Sequence, residues 1–144
     1  MHIELDISAN QDSNDIRLEI YFNDDRLASL SATTKKQTIT YDVSDDVNDH
    51  VLKLVMAGKN QAHTVVSDDT GEIVEDLCFS VDRLEFEEID VKEIFCLGNP
   101  CYTHDFNSTQ DRFLDEFYGI LGCNGIVEFK FSTPIFLWLD NYFS

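Results

Sequence analysis

Residues Val51–Val91 read VLKLVMAGKNQAHTVVSDDTGEIVEDLCFSVDRLEFEEIDV, and their patterning decides the fold. Leu52, Leu54 and Met56 alternate with Lys53 and Val55, the two-residue period of a half-buried strand. Leu77, Phe79 and Val81 alternate in the same way with Cys78 and Ser80. The phase slips at Asp82-Arg83 and resumes as Leu84 and Phe86. One inserted residue sends every later side chain to the opposite face, so a bulge or tight turn is expected there. Between these strands runs a polar segment, Gly58–Asp76, that carries His63, Asp68, Asp69, Glu72 and Asp76.

Outward from this stretch, the N-terminal half repeats the period. Ile3, Leu5 and Ile7 alternate with charged residues, and Ile16, Leu18, Ile20 and Phe22 do so again. Asn23-Asp24-Asp25 supplies turn chemistry, because short Asx side chains bond their own backbone. Arg26–Leu30 reads as a short edge strand, Thr38–Val43 as another strand, and Ser44–Asp49 as an acidic loop. After Val91 the apolar run Glu93–Leu97 is broken by Gly98-Asn99-Pro100. Phe113, Leu114, Phe117 and Ile120 stand at helical spacing and predict a short helix or ordered loop. Val127, Phe129 and Phe131 make the clearest late strand. Ser132-Thr133-Pro134 is a helix-start signal, so the tail IFLWLDNYF is expected as a short apolar helix or a last strand. The whole predicts a mainly all-β chain: one β-sandwich or jelly-roll domain over residues 1–144, with one or two short helices near the C-terminus.

The 144 residues carry 28 acidic and 10 basic side chains, a net charge of −18. That balance argues against a phosphate backbone as partner, since nucleic-acid binding needs clustered Lys and Arg. It suits a salty environment, a cation ligand or a basic partner surface. No window approaches 18 apolar residues, so no membrane span is expected. MHIELDISANQD has neither a basic nor an apolar leader region, so no signal peptide is expected, and the four cysteines are read as free thiols of a reducing compartment.

Three clusters could carry chemistry. Asp68, Asp69, Glu72 and Asp76 offer closely spaced oxygen ligands of the kind Ca²⁺ takes, although Asp-Asp-Thr-Gly is equally a hairpin turn. Cys96, Cys101, His104 and Cys123 could form a Cys₃His zinc site, although buried cysteines also serve as small hydrophobes. Tyr102, Phe106, Tyr118 and Trp138 could form an aromatic platform for sugar rings or a subunit interface; the plainer alternative is that Trp138 and Phe136 cap the core. No nucleophile motif, H-E-x-x-H or phosphate loop accompanies His63 or His104, so no catalysis is expected.

Two resemblances add to this reading. The runs Ile39–Val43, His50–Leu54, Glu75–Val81 and Leu84–Val91 resemble the jelly-roll core of calcium-dependent, xylan-type carbohydrate-binding modules. The segment from Tyr102 (YTHDF) to GxxGCNGxVxFxFxTPIxxWL is similar to small structural proteins of tailed bacteriophages, notably cyanophages. Together they imply a non-enzymatic virion protein of a tail, fibre or capsid surface. Such a protein assembles in the host cytoplasm as a homo-oligomer or docked on other virion proteins, without nucleic acid or membrane. The alternative they imply is a glycan-binding module used in host adsorption, with or without Ca²⁺. The ligand set of the calcium-dependent modules has no residue-for-residue match here.

Overall fold

The structure, a computed structural model, describes residues 1–59, 64–66, 73–104 and 113–143. Two antiparallel sheets face each other. The first is built on β1 (His2–Ala9), flanked by β4 (Gln37–Asp42) and β8 (Phe79–Phe86). Two short strands, β9 (Ile89–Asp90) and β12 (Ile120–Leu121), add to β8. The second sheet runs in the order β11 (Phe113–Phe117), β10 (Asn99–His104), β13 (Gly125–Thr133), β5 (Asn48–Ala57), β2 (Ser13–Phe22), β3 (Asp25–Ala32). A separate ribbon pairs β6 (Thr64–Val66) with β7 (Ile73–Asp76) antiparallel.

The alternating residues do what their period demands. Ile3, Leu5 and Ile7 from the first sheet meet Leu18, Ile20, Leu52, Leu54, Val127 and Phe129 from the second in one buried cluster. Phe86 and Phe131 close it across the two sheets, with ring centroids 4.6 Å apart. The phase slip is a β-bulge. Asp6 pairs with Arg83 and Ile7 with Val81, so Asp82 is the extra residue and both halves of β8 keep their apolar side chains inward. Two further expectations hold: the turn, where Asn23 takes a positive φ of 54° between β2 and β3, and the edge strand, since β3 lies at the sheet edge.

Residues 113–120 do not form the predicted helix. They form β11 and β12, separated by Gly119 at φ 89°. The helical spacing had no stripe behind it, since Leu114 and Ile120 are exposed while Phe117 is buried. The backbone of β11 is instead taken up by the edge of β10.

The two helices are α1 (Lys92–Cys96) and α2 (Ile135–Phe143). The helix start at Thr133-Pro134 is found, but not with the expected cap. The Thr133 hydroxyl donates to the Asp46 carbonyl at 2.5 Å, and the first helical N–H, of Ile135, is received by the Asp45 carboxylate at 3.0 Å. The acidic loop before β5 therefore caps a helix 90 residues away in sequence.

Candidate functional site

Alternation in β13 sends Val127, Phe129 and Phe131 into the core and leaves Glu128, Lys130 and Ser132 on the outer side of the sheet. β13 pairs with β5 along nine residues, from Gly125 to Thr133, but with β10 only at Tyr102–His104. Where the β10 ladder stops, α1 and α2 fill the space. Ile135 and Leu139, four residues apart on α2, are buried and anchor the helix. That spacing turns Trp138 toward α1, where the indole stacks on Phe95 at a centroid distance of 5.7 Å and an interplanar angle of 10°. One turn on, Tyr142 stacks on the other end of the same arrangement, 5.8 Å from Trp138 at 26°.

These elements bound a cleft of ≈ 330 Å³ lined by Phe95, Asn99, Glu128, Lys130, Trp138 and Tyr142, among others. A second cleft of ≈ 440 Å³ shares Glu128, Lys130 and Trp138 and runs on to Asn23, Asp49 and His50. The joint surface combines aromatic faces with a carboxylate, an ammonium and side-chain amides. It can hold a ligand that has both apolar faces and many hydroxyls.

His50 is fixed at the floor of the second cleft. Asn23 accepts the Val51 N–H at its Oδ1 (3.0 Å), so its amide nitrogen faces His50 Nδ1 at 3.2 Å. Nδ1 is therefore the acceptor, and Nε2–H donates to Thr133 Oγ1 at 3.0 Å. This neutral tautomer suits its burial, which lowers the imidazole pKa against a smaller opposing pull from Asp49. His50 orders the cleft and presents no free base.

The structure separates the sequence-predicted aromatics. Trp138 lies in the cleft. Tyr102 is buried, its hydroxyl donating to the Cys123 carbonyl at 2.6 Å, and offers no face to a ligand. Tyr118 is exposed beside Gly98, with its hydroxyl on Glu116, and is not among the residues that line Trp138's cleft. Phe106 lies outside the described residues. Of the plain alternative, Trp138 does pack on the core, whereas Phe136 is exposed.

The four zinc candidates are not brought together. Cys96 is buried in α1, where burial pushes its thiol up to about 12. Cys101 is buried in β10 and points its sulfur at the Phe95 carbonyl, with its thiol up to about 11 for the same reason. His104 stacks on Tyr102 and meets Asp115 at 3.2 Å, and the backbone of Cys123 holds the Tyr102 hydroxyl. Among the described residues no three His, Cys, Asp or Glu side chains are placed to hold a metal ion. Of the calcium candidates, Asp68, Asp69 and Glu72 lie outside the described residues, and Asp76 is paired with Lys59. Sequence reading missed Tyr142, Glu128, Lys130 and Asn99. The signal for Tyr142 was present in its four-residue spacing from Trp138. The other three face the cleft only because α2 folds back over β13.

No family model matches the chain, and no curated protein matches it in sequence. Among solved structures it resembles vCBM60 in complex with galactobiose, with a TM-score of 0.53, 14% identity, and coverage of 90% of this chain and 97% of that one. It also resembles a selenomethionine form of vCBM60, described within two families of calcium-dependent carbohydrate-binding modules linked by circular permutation. There the TM-score is 0.50, the identity 10%, and the coverage 89% and 88%. The architecture is that of a carbohydrate-binding-module β-sandwich.

Proposed function

We propose that the chain is a non-catalytic glycan-binding module whose ligand lies in the cleft between α2 and β13. The observation that carries this reading is the stacked Trp138–Tyr142 pair set beside Glu128 and Lys130. The C–H face of a sugar ring buries apolar area on an aromatic face. Its hydroxyls, which donate and accept, match a carboxylate, an ammonium and the Asn99 amide placed around that face. The fold shared with carbohydrate-binding modules supports the same reading. A glycan array followed by titration calorimetry tests it. Binding of an oligosaccharide that is lost in Trp138→Ala supports the cleft; an array without a hit, or a hit indifferent to Trp138 and Tyr142, sinks it.

One observation favours the second reading, a component docked on a larger assembly such as a virion. Phe136, Leu137 and Phe143 are exposed along α2, and such apolar residues on an acidic protein fit a basic partner with an apolar socket. Light scattering separates the two readings. A glycan binder stays of one mass, while a docking subunit adds its mass to the assembly and loses that association when Phe136 or Phe143 is replaced by Ser.

A further inference from the structure

Lys59 is buried, with only 5% of its side chain exposed, a rare place for an ammonium. The chain is steered there by Gly58 at φ +93°, where any Cβ would collide with the Asp15 carbonyl oxygen. The backbone of Lys59 is clasped by Asn124, which accepts its N–H at 2.9 Å and donates to its carbonyl at 2.9 Å. The ammonium donates to the Asp76 carboxylate and to the Gly122 carbonyl. Asn10 completes the knot, donating to the Asp76 carbonyl at 2.7 Å and accepting the Cys78 N–H at 2.9 Å. Four connections thus meet around one positive charge: those after β1, after β5, before β8 and before β13.

Among the described residues, the groups facing Nζ are a carboxylate oxygen and a backbone carbonyl oxygen. These are the donors a hard divalent cation such as Ca²⁺ selects. We propose that the Lys59 ammonium is the built-in cation of this end of the sandwich, holding by a covalent tether the loops that a calcium ion could otherwise gather. Asp76 does not fit the calcium set read from the sequence, because its carboxylate is already neutralised and a divalent ion beside Nζ would meet strong repulsion. The chain therefore keeps a fold found among calcium-dependent modules while its loop end holds without the metal. This conclusion stands whether or not the cleft takes a sugar.

The test is the thermal midpoint of the full chain with EDTA, with millimolar CaCl₂ and with n-propylammonium chloride. The wild-type midpoint is expected to be the same with and without EDTA. Lys59→Ala should melt more than about 5 °C lower, and calcium or propylammonium should raise it by more than the same salts raise wild type. A wild-type midpoint that falls in EDTA overturns the proposal, as does a Lys59→Ala protein that responds to neither cation. Should Lys59→Ala fail to fold, Lys59→Met combined with Asp76→Asn decides. A double variant that folds better than Lys59→Met alone supports the charge pairing, and one that is equally impaired or worse overturns it.

Discussion

The indole of Trp138 lies nearly parallel to the ring of Phe95, 5.7 Å away, so one face of the tryptophan belongs to the core and its surroundings belong to the cleft. Stability and binding are therefore entangled at Trp138 and must be separated at its neighbour. Tyr142 is 52% exposed, and its truncation removes little buried area. Tyr142→Ala is expected to change stability by no more than about 0.5 kcal/mol while weakening glycan affinity about tenfold, the worth of one lost ring contact. Trp138→Ala should abolish binding and also cost about 2 kcal/mol, below the range for a fully buried aromatic. Denaturant melts beside calorimetric titrations check both values.

His50 and His2 pull stability in opposite directions with pH. Burial holds the His50 pKa down, so the unfolded chain takes up a proton before the folded one does. Stability from His50 is full above the unfolded pKa and declines as pH falls below it. The pKa of His2 is raised, chiefly by its hydrogen bond to Asp42 and then by that to Glu4. Its contribution is full below the unfolded pKa and is lost as pH rises through the folded one. Between about pH 5 and 8, His50→Gln is thus expected to flatten the loss of thermal midpoint as pH falls below about 6.5, and His2→Gln to flatten the loss as pH rises above about 6.5. Midpoints measured across that window in one ionic strength decide the matter.

Asp6 shows a buried charge on the outer side of the first sheet. Its side chain is 4% exposed and meets Arg83 Nε at 2.9 Å, while Arg83 is 36% exposed. Burial pushes the carboxyl pKa up, but hydrogen bonds from Arg83 and Thr38 outweigh it, so the net shift is downward. Stability from Asp6 is accordingly present above the unfolded carboxylate pKa and is lost as pH falls through the lower folded value. Arg83→Leu strands the carboxylate and is expected to cost about 2 kcal/mol, less than a fully buried pair would because Arg83 is partly solvated. Adding Asp6→Leu should recover part of that loss. A double-mutant cycle in urea measures the coupling.

The turn joining β8 to β9 holds two successive non-glycine residues at positive φ, Glu87 at 52° and Glu88 at 64°. Each carries the steric cost of a Cβ in the left-handed region, roughly 1 kcal/mol. Glu87 is tied to β1, accepting the His2 N–H at its carboxylate at 2.8 Å and donating its own N–H to the His2 carbonyl at 2.8 Å. Glu88→Gly is therefore the substitution expected to stabilise, by about 0.5–1 kcal/mol. An unchanged or lowered urea midpoint would show that the turn is relaxed as it stands.

What the sequence made legible was whatever repeats locally. The inward residues of β1, β2, β5, β8 and β13 could be read because one buried face imposes a period of two. The polar partners of that period could not be assigned a role, because Asp6 and Lys130 look alike in the sequence. Arg83 on the next strand buries one, and α2 folding back makes the other a cleft wall. β11 was hidden for a related reason: at this edge strand Leu114 is exposed and Phe117 buried, so the apolar residues of Leu114–Phe117 show no alternation. Lys59 was the least legible of all. Nothing near it in sequence announces burial, and its partners Asp76 and Gly122 lie 17 and 63 residues away.

The bulge at Asp82 gives a prediction that runs against the usual expectation for a deletion in a core strand. Phe79 and Val81 face inward before it, Leu84 and Phe86 after it. Without Asp82 the sequence alternates without interruption, Phe79-Ser80-Val81-Arg83-Leu84-Glu85-Phe86, and every apolar residue keeps its face. β1 already places Asp6 opposite Arg83 and Ile7 opposite Val81, so the shortened strand can pair with it residue for residue. What is lost is local: the hydrogen bonds that Asp82 receives from Ser8 at 2.6 Å and Ser80 at 2.8 Å, together with the extra twist a bulge imparts. Deletion of Asp82 is expected to leave a folded protein destabilised by no more than about 2 kcal/mol. Deletion of Leu84, which throws Arg83 or Glu85 into the core, should not fold at all. Far-ultraviolet circular dichroism and urea melts of the two deletions make the comparison, and a ΔAsp82 chain as unfolded as ΔLeu84 would mean that the bulge sets the strand rather than merely interrupting it.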